Sequence, residues 1–470
     1  MDDFAVIGGG IGGACSALFL SRDYQTTLYE KEPYLGGCSS TFKHAHGFYN
    51  TGATTFAGYQ KGTYLHTLFQ DNGVSFKTKK LSSSLTVLID GKIIERYADK
   101  EAFLEQINQA FYHPKNKAFY DLIVNIQQQF FALNDYYYSN ASWWAKMRSL
   151  YSFKTLLKTF YPYLFTDAKT FIERFFGHID PRYVDYMNNQ VLIVAQARLH
   201  EINFLTAALA LAYQFMENHY VYGGMGAIFE GIEKVLPHVE KKTMIEKITP
   251  YKNHYVLKSA QKEFEAKNIL LNASLFEAHT LFDDAKIRRY LGSYQSLDAH
   301  MSAFVCYFEI KRTQKLNHHY QIILPHTLPF TCSNSLFVSI GDEEDEKMQS
   351  SVTVSVHTHE KIWENENALE QKMELEAIIQ TSLCEHLGLE ESAILKRFSG
   401  TPRTFKRYIN CSSLGGIPMR LENLLYKLPS NDSPIKGLYH VGDTTFAAQG
   451  WPGVMMGVAN LQRLLCNRSF

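Results

Sequence analysis

The sequence predicts an α/β fold in which a Rossmann-type dinucleotide-binding domain is interrupted by an inserted second domain. Three observations predict it. An apolar run, FAVI, leads directly into the glycine-rich turn GGGIGG near the N-terminus. A second strand-to-turn-to-helix pattern, GLYHVGD followed by GWPGVMMGVANLQ, lies near the C-terminus. The 470 residues exceed the usual size of one domain, so a further lobe must lie between these two patterns.

The first turn has the spacing of a dinucleotide-binding fingerprint. Gly8, Gly10 and Gly13 follow the pattern G-x-G-x-x-G, and a helix-forming run, ACSALFLS, comes next. The first glycine allows a tight turn, the second lets the backbone approach a pyrophosphate, and the third lets the helix pack closely on the strand. The next strand, QTTLYE, ends at Glu30, where a carboxylate can accept hydrogen bonds from a ribose. This pattern predicts a bound dinucleotide and leaves NAD and FAD equally open.

A second glycine-rich segment, KEPYLGGCSSTFKHAHGFYNTGATTF, follows the acidic strand end. Around Gly36 and Gly37, successive backbone N–H groups can form a concave anion site, and Ser39 or Ser40 can donate hydrogen bonds. The segment resembles the second signature of the flavoprotein superfamily that contains amine oxidases, phytoene desaturases and carotenoid isomerases. Many members place Arg after the glycine pair. This chain has Cys38 there, which resembles the desaturase and isomerase branch.

The C-terminal segment GLYHVGDTTFAAQGWPGVMMGVANLQRLL is the more specific match. It closely resembles the ending of carotenoid isomerases, retinol saturases and phytoene desaturases, which bind FAD. The resemblance implies that Asp443 hydrogen-bonds the ribityl or phosphate region of FAD. Pro452 fits the first turn of the last helix, where its missing N–H is not needed. The positive end of this helix would then face the flavin ring and stabilise its anionic reduced form.

Two middle segments complete the resemblance. VYGGMGAIFEGIEKVL resembles the family's Gly-Gly-Met turn into a helix, and in KKTMIEKI the position of Ile245 matches the one that contacts adenine. The strand AKNILLNAS leads back under the cofactor. The resemblance therefore implies FAD as the cofactor. The candidate FAD-binding residues are Gly8, Gly10, Ile11, Gly13, Glu30, Lys31, Gly36, Gly37, Cys38, Ser39, Ile245, Asn272, Ala273, Gly442, Asp443, Pro452, Gly453 and Val454.

The FAD-binding segments are separated along the chain, so the intervals between them are expected to form a substrate domain. We predict FAD-binding parts at 1–75, 220–295 and 413–470, and substrate-domain parts at 76–219 and 296–412. In the substrate domain, SLTVLIDGKIIERYA predicts a β-hairpin that turns at Asp90-Gly91. The runs SAFVCYFEIKR, YQIILP, SLFVSIGD and SVTVSVHTH predict an antiparallel sheet, followed by a helix around Lys361 to His386. Residues 101–219 predict an aromatic, mostly helical lobe.

Composition excludes several classes of function. Lys+Arg and Asp+Glu both number 47, so the chain has no net field that would attract nucleic acid. The seven cysteines include no CxxC pair, which predicts free thiols in a reducing compartment. The 18 histidines show no ligand spacing, so we expect no metal site. No leader pattern precedes Phe4, and the apolar segment FLTAALALAYQFM is shorter than the ~20 residues of a membrane span. These features predict a cytoplasmic protein.

The span at about 136–165 combines aromatic residues with Lys146, Arg148, Lys154 and Lys158. Aromatic and basic residues on amphipathic helices are typical of a peripheral contact with an anionic membrane, here on the inner face. The alternative is a lobe whose aromatic residues pack internally. The aromatic residues of the span are Tyr136, Tyr137, Tyr138, Trp143, Trp144, Tyr151, Phe153, Phe160, Tyr161 and Tyr163.

The resemblance implies an enzyme, an FAD-dependent oxidoreductase that acts as a desaturase, saturase or redox isomerase. Its substrate would be a lipophilic polyene, carotenoid-like or other isoprenoid molecule. An amine or amino-acid oxidase of the same fold and a non-catalytic flavin-binding scaffold are the alternatives. Because the flavin carries the reaction in this superfamily, no catalytic side chain is identified. Whether FAD is held covalently, through Cys38, His44 or His46, or non-covalently stays open at this point. The resemblance also allows Arg403 and Lys406 to contact a polar substrate end.

Overall fold

The computed structural model describes residues 1–44, 47–52, 54–132, 137–312, 314–341, 349–423, 427–447 and 449–466. The strands are β1 (Asp2–Ile7), β2 (Thr26–Tyr29), β3 (Thr41–His44), β4 (Gly47–Asn50), β5 (Phe56–Ala57), β6 (Thr78–Lys80), β7 (Ser83–Ile89), β8 (Lys92–Tyr97), β9 (Asn218–Val221), β10 (Val239–Glu240), β11 (Ile245–Pro250), β12 (Tyr255–Ser259), β13 (Glu263–Leu271), β14 (Met301–Lys311), β15 (His319–Ile323), β16 (Ser335–Ile340), β17 (Gln349–His359), β18 (Ile394–Gly400) and β19 (Leu438–His440). The α-helices are α1 (Ile11–Asp23), α2 (Tyr64–Asp71), α3 (Lys100–Ala110), α4 (Asn116–Ala132), α5 (Trp143–Ser152), α6 (Lys154–Leu164), α7 (Ala168–Phe176), α8 (Pro181–Ala195), α9 (Phe204–Ala212), α10 (Gly226–Val235), α11 (Ala285–Gly292), α12 (Ala368–Leu387), α13 (Pro402–Ile409) and α14 (Gly450–Cys466).

The first sheet is built around four parallel strands in the order β10-β2-β1-β13. The last three residues of β13 also pair in parallel with β19, so the C-terminal strand joins the N-terminal one in the same sheet. Beyond β13, strands β12 and β11 pair antiparallel. The C-terminal parts of β1 and β13, residues 4–7 and 269–271, are apolar and buried on both faces, as expected for a parallel sheet covered by helices. The predicted Rossmann-type α/β fold is confirmed.

The second sheet has seven strands in the order β18-β14-β17-β16-β15-β7-β8. Its pairs are antiparallel except β15 with β7, which run parallel, so the predicted antiparallel sheet is in fact mixed. The parallel pair arises because the β7–β8 hairpin joins the edge of the sheet from an earlier part of the chain. The hairpin turns at Asp90 (φ 50°) and Gly91 (φ 73°), as the Asp-Gly signal predicts.

The two faces of the second sheet differ in polarity. On one face, Phe304, Val338 and Val354 pack against Trp363 and the apolar side of α12. Side chains alternate along a strand, so the neighbouring residues point to the other face. There the sheet carries buried polar side chains, and we call this surface the polar face. Its members include Gln321, Ser335, Ser339 and Thr353.

A helical lobe formed by α3 to α9 packs against the β7–β8 edge of this sheet. Aromatic side chains such as Phe103, Phe119, Tyr183 and Phe204 fill its core together with Val87 of β7. Helix α9 accounts for most of the apolar segment FLTAALALAYQFM and is buried. Among the helices of the described residues, none combines the length and apolarity needed to cross a membrane. The domain boundaries given above stay a prediction.

Candidate dinucleotide site

The glycine turn after β1 presents the start of α1 as an open anion site. Gly8 has φ 99°, a conformation that favours glycine, and a Cβ on Gly13 would lie 2.0 Å from the Gly8 carbonyl oxygen. Helix α1 has no side-chain N-cap and no acidic residue in its first turn. Its first N–H groups, beginning at Ile11, therefore remain available for an anionic ligand.

Glu30, which directly follows β2, stabilises this turn through hydrogen bonds to its carboxylate. Its Oε2 accepts a hydrogen bond from the Gly9 backbone N–H at 2.7 Å, and its Oε1 accepts one from the Glu32 N–H at 2.9 Å. Burial raises the pKa of Glu30, while these backbone hydrogen bonds act in the opposite direction. The carboxylate is thus buried at the position predicted for a ribose acceptor.

The second glycine pair lies directly beside the first turn. The Gly36 N–H donates to the Gly9 carbonyl at 2.8 Å, and Gly36 (φ 119°) and Gly37 (φ 56°) both have positive φ. The Ser40 hydroxyl donates to the Gly37 carbonyl at 2.8 Å. In contrast, the buried Ser39 hydroxyl has no hydrogen-bond partner within the described part of the chain. Of the two serines, Ser39 is therefore the one free to bind a ligand.

Asn272 joins the two ends of the chain at this turn. Its backbone N–H donates to the Ile7 carbonyl at 2.9 Å, and its Nδ2 donates to the Gly8 carbonyl at 3.2 Å. Its Oδ1 lies 2.7 Å from where a Cβ on Gly12 would stand and 3.1 Å from one on Gly442. Ala273 follows it at the same end of the sheet. The first turn and the Gly442-Asp443 turn are thus parts of one site.

Asp443 occupies the end of the site that follows β19. Gly442 before it has φ 125°, and burial raises the pKa of the Asp443 carboxyl. The backbone of Gly416 packs so closely that a Cβ there would lie 2.0 Å from the Asp443 carbonyl oxygen. Sequence reasoning missed the Gly415-Gly416 pair, although the run LGGIP contains a Gly-Gly step followed by proline, which is a turn signal.

Helix α14 begins beside the site, as predicted. Pro452 lies in its first turn, close to Gly58, where a Cβ would stand 3.6 Å from the proline ring. Gly453 and Val454 follow in the same turn, and Val454 is buried in the core shared with α1. Trp451 anchors the start of the helix in this core. The N-terminus of α14 is therefore fixed relative to α1.

Three further predicted FAD-binding residues, Lys31, Cys38 and Ile245, stay predictions. The Lys31 ammonium donates a hydrogen bond to Asn410 Oδ1 at 2.8 Å. Ile245 begins β11, and its backbone pairs with Ser259 rather than with the glycine turns. Burial raises the pKa of Cys38 to about 12, so its thiol is protonated at neutral pH.

The accessory candidates lie outside the cluster. His44 is exposed, with its ring 4.3 Å from that of Phe398, and His46 lies outside the described residues. Arg403 and Lys406 are both exposed on α13.

The polar face of the second sheet adjoins the dinucleotide site. The Tyr307 hydroxyl donates to the Thr51 carbonyl at 2.9 Å, and His319 Nε2 lies 3.2 Å from the Thr54 carbonyl. On the opposite side, Gln449, just before α14, donates to the Val194 carbonyl at the end of α8 at 2.6 Å. The polar face and α8 therefore each contact a segment that adjoins the dinucleotide site.

One histidine–carboxylate cluster lies at the junction of β14 and β17. The ligand atoms of Asp298, His300 and Glu360 all lie within 4.8 Å of one another. His300 Nδ1 is hydrogen-bonded to Glu360, and the Ser413 hydroxyl donates to Asp298 at 2.9 Å. These hydrogen bonds account for the cluster, and we assign it a structural role.

Comparisons with known proteins agree with this geometry. Residues 6–71 match the NAD(P)-binding Rossmann-like domain, the part of the chain that holds both glycine turns. The chain is 25% identical to prolycopene isomerase 1 of an Oncidium hybrid cultivar, over 95% of this chain and 81% of that protein. It is also similar to the prolycopene isomerase of Daucus carota, at 24% identity over 95% of this chain and 77% of that protein. These similarities confirm the predicted resemblance to the phytoene desaturase, carotenoid isomerase and retinol saturase branch of the flavoprotein superfamily.

Solved structures similar to this chain include oxidases and a fatty acid isomerase. A structure of putrescine oxidase has a TM-score of 0.65 at 14% identity and covers 100% of this chain and 99% of its own. A CLA-producing fatty acid isomerase from P. acnes has a TM-score of 0.60 at 15% identity, with coverage of 100% and 99%. At these identities the matches show a common fold. The homologues are named as isomerases, so the prediction of an enzyme of the oxidoreductase or isomerase class is confirmed.

Proposed function

We propose that the site binds FAD and that residues 1–75, 220–295 and 413–470 form the domain that holds it. The N-terminus of α1 binds the pyrophosphate, Glu30 accepts a hydrogen bond from the adenosine ribose, and Ser39 donates its unpaired hydroxyl. Asp443 and the N-terminus of α14 stand at the flavin end. The observation that carries the proposal is the meeting of the two chain ends at Asn272 and Gly442, since NAD-type sites need only the first turn.

The reaction is a redox step or double-bond isomerisation on an unsaturated lipid. When bound, FAD supplies a ring that exchanges electrons or hydride with the substrate. The chain's own part is to bind, orient and exclude water. The N-terminus of α14 favours negative charge at its end of the site, and the polar face and α8 shield the region between them from solvent. The homology to prolycopene isomerases supports an unsaturated, isoprenoid-like substrate.

Incubation with prolycopene in lipid vesicles tests this function. The FAD-loaded protein is incubated anaerobically with its flavin either oxidised or reduced by dithionite, and the geometric isomers are separated by chromatography. We expect conversion that depends on the redox state of the flavin and is absent from flavin-depleted protein. Unchanged polyene together with hydrogen peroxide release from amines would instead indicate an amine oxidase. A flavin that no reductant reduces would indicate a scaffold.

The helical lobe also provides a membrane contact in this proposal. Large apolar side chains are exposed on α5, on α6 and at Phe165, which follows α6. The exposed fraction is 76% for Trp144 and 77% for Tyr151. Of the predicted aromatic residues, Tyr138, Phe153 and Phe160 are buried, and Tyr137 and Tyr163 are partly buried. The exposed ones belong to a larger set of exposed apolar residues that we call the lobe patch. Tyr136 lies outside the described residues. The lobe patch consists of Trp143, Trp144, Met147, Leu150, Tyr151, Leu157, Tyr161 and Phe165.

Charge supports the same contact. The span 143–165 contains Lys146, Arg148, Lys154 and Lys158 and no acidic residue. An exposed lysine near an anionic bilayer contributes about 1 kcal/mol of attraction. We therefore expect the double variant Lys154→Glu, Lys158→Glu to bind phosphatidylserine vesicles at least about tenfold more weakly. The control is Lys252→Glu, Lys262→Glu, two exposed lysines elsewhere. Equal vesicle binding by both double variants would refute the contact.

A further inference from the structure

The polar face ends at a buried cation. Arg96 lies on β8 and is only 6% exposed. Its Nε donates to Gln214 Oε1 at 2.8 Å, and its Nη1 donates to Gln190 Oε1 at 2.6 Å. Both acceptors are neutral amides. Within the described ranges, the groups that act electrostatically on this guanidinium are tyrosines and include no carboxylate.

A buried charge without a counter-ion is costly. An unpaired ion in a protein interior carries a penalty of several kcal/mol. The Arg96 side chain stays protonated nevertheless, since the ordinary pKa of arginine lies far above neutral. An arginine has five N–H donors, and Nη2 makes no hydrogen bond with any described residue. A guanidinium commonly binds a carboxylate through two parallel N–H donors, and Nη2 is available for such a pair.

A second donor lies beside this cation without a partner. The tyrosines that interact electrostatically with Arg96 are Tyr120, Tyr186 and Tyr213. Tyr186 is 1% exposed, and among the described residues its hydroxyl has no hydrogen-bond partner. Burial raises the pKa of Tyr186 to about 12, so the hydroxyl carries its proton and can donate it. A tyrosine hydroxyl without a protein acceptor, next to a cation without a protein anion, forms a donor set that suits an anionic ligand.

Hydrogen bonds connect this cation to the region beside the dinucleotide site. Gln190 Nε2 donates to Gln321 Oε1 at 2.5 Å, and Gln321 Nε2 donates to Ser335 on the polar face at 3.3 Å. Gln190 also lies on α8, whose end contacts the segment before α14. At 1.5 Å per residue, Gln190 and Ala195 are about 8 Å apart along the helix. An extended lipid chain can therefore have one end at Arg96 and an unsaturated carbon near the flavin end.

We propose that Arg96 binds the carboxylate of the substrate and that the natural substrate is an unsaturated lipid ending in a carboxylate. This inference rests on the proposed function, because it names the substrate class of the same site. It also accounts for the polar face: the hydrogen-bonding side chains around Arg96 receive the carboxylate end, and the unsaturated chain, the part that prolycopene shares, extends toward the flavin end. Arg96 is a positioning residue here, and Tyr186 supplies a further hydrogen bond to the same carboxylate.

Two probes with the same carbon chain test the inference. Linoleate and linoleyl alcohol are titrated separately into the FAD-loaded protein below their micellar concentrations, and Kd is measured by calorimetry. We expect linoleate to bind roughly 10- to 100-fold more tightly, the range of a hydrogen bond to a charged group. In Arg96→Gln this preference disappears, while the Kd of the alcohol is unchanged. Arg96→Lys keeps the charge without the paired donors and should retain part of the preference.

The control and the contrary outcomes are equally specific. Arg182→Gln removes an arginine of the same lobe that is paired with Asp90 and should keep the full preference. Equal affinity of the wild type for both probes, or binding of neither, overturns the inference. So does an Arg96→Gln variant that weakens both probes equally. The comparison of linoleate with linoleyl alcohol on the wild-type protein tests the carboxylate preference even if a variant fails to fold. Flavin content is measured separately, so a protein without flavin refutes the proposed function and leaves the probe preference intact.

Discussion

Replacing Gly12 with alanine tests whether the two chain ends close one dinucleotide site. A Cβ at this position would lie 2.7 Å from Asn272 Oδ1 and 3.0 Å from the Gly442 backbone nitrogen. The side chain of Val441 would also be 3.0 Å away. The Asn272 side chain cannot simply rotate aside, because its Nδ2 is hydrogen-bonded to Gly8. The added methyl group therefore pushes the first turn and the C-terminal turn apart.

Two opposing effects determine how much Gly12→Ala changes the free energy of unfolding. Gly12 is in α1, where alanine ordinarily stabilises a helix by about 1 kcal/mol over glycine. Overpacking a closely packed site costs about 1–3 kcal/mol. The net free energy of unfolding should therefore fall by up to about 2 kcal/mol, which lowers Tm by up to about 2 °C in a protein of this size. Because the clash lies between the two turns, the loss of bound flavin should exceed the loss of stability.

The assay is flavin absorbance per mole of protein after gel filtration, with Tm followed by circular dichroism. Gly292→Ala is the matched control, since Gly292 is helical (φ −63°) and a Cβ there would meet nothing closer than 4.0 Å. We expect Gly12→Ala to be largely flavin-free and Gly292→Ala to keep its flavin with an equal or higher Tm. A Gly12→Ala protein with full flavin content and an unchanged Tm would refute the reasoning.

Three further outcomes are expected. Glu30→Gln leaves one buried backbone N–H without an acceptor, so it should lower the free energy of unfolding by about 1–3 kcal/mol in denaturant titrations and weaken FAD binding. Gly416→Ala places a Cβ 2.0 Å from the Asp443 carbonyl oxygen and should also reduce flavin content, measured as above. Trp143→Ser with Trp144→Ser should weaken vesicle binding without lowering Tm, whereas Tyr112→Ser, equally exposed elsewhere, should change neither.

The dinucleotide site could be predicted from sequence where the type of a single residue determines the local backbone conformation. Gly8, Gly36 and Gly442 have positive φ, and glycine is the residue that adopts this conformation freely, so their identities carry the geometry. Asn272 could be predicted because it follows a buried strand whose end must meet the other strand ends. Lys31 could not be placed, because the direction of a long side chain depends on its partner, Asn410, far along the chain.

The substrate region could not be predicted in the same way. Gln190 and Gln321 are 131 positions apart and meet only because the lobe packs against the sheet edge. Within β15, Tyr320 and Gln321 lie on opposite faces, because side chains alternate along a strand. Which face each one joins depends on the register of pairing, which local sequence does not state. The buried position of Arg96 was missed for this reason, since an isolated arginine on a short strand ordinarily indicates an exposed edge.

Side chains of the second sheet alternate between the core face and the polar face, and this alternation separates residues that stabilise the fold from residues that are free to vary. Residues such as Val338 and Val354 hold the core against α12, so their replacement would cost stability. Their neighbours Ser339 and Thr353 lie on the polar face and contribute little to that core. The residues of the polar face can therefore change while those of the core maintain the fold. In our proposal, the glycine turns hold the dinucleotide and the polar face with Arg96 selects the substrate.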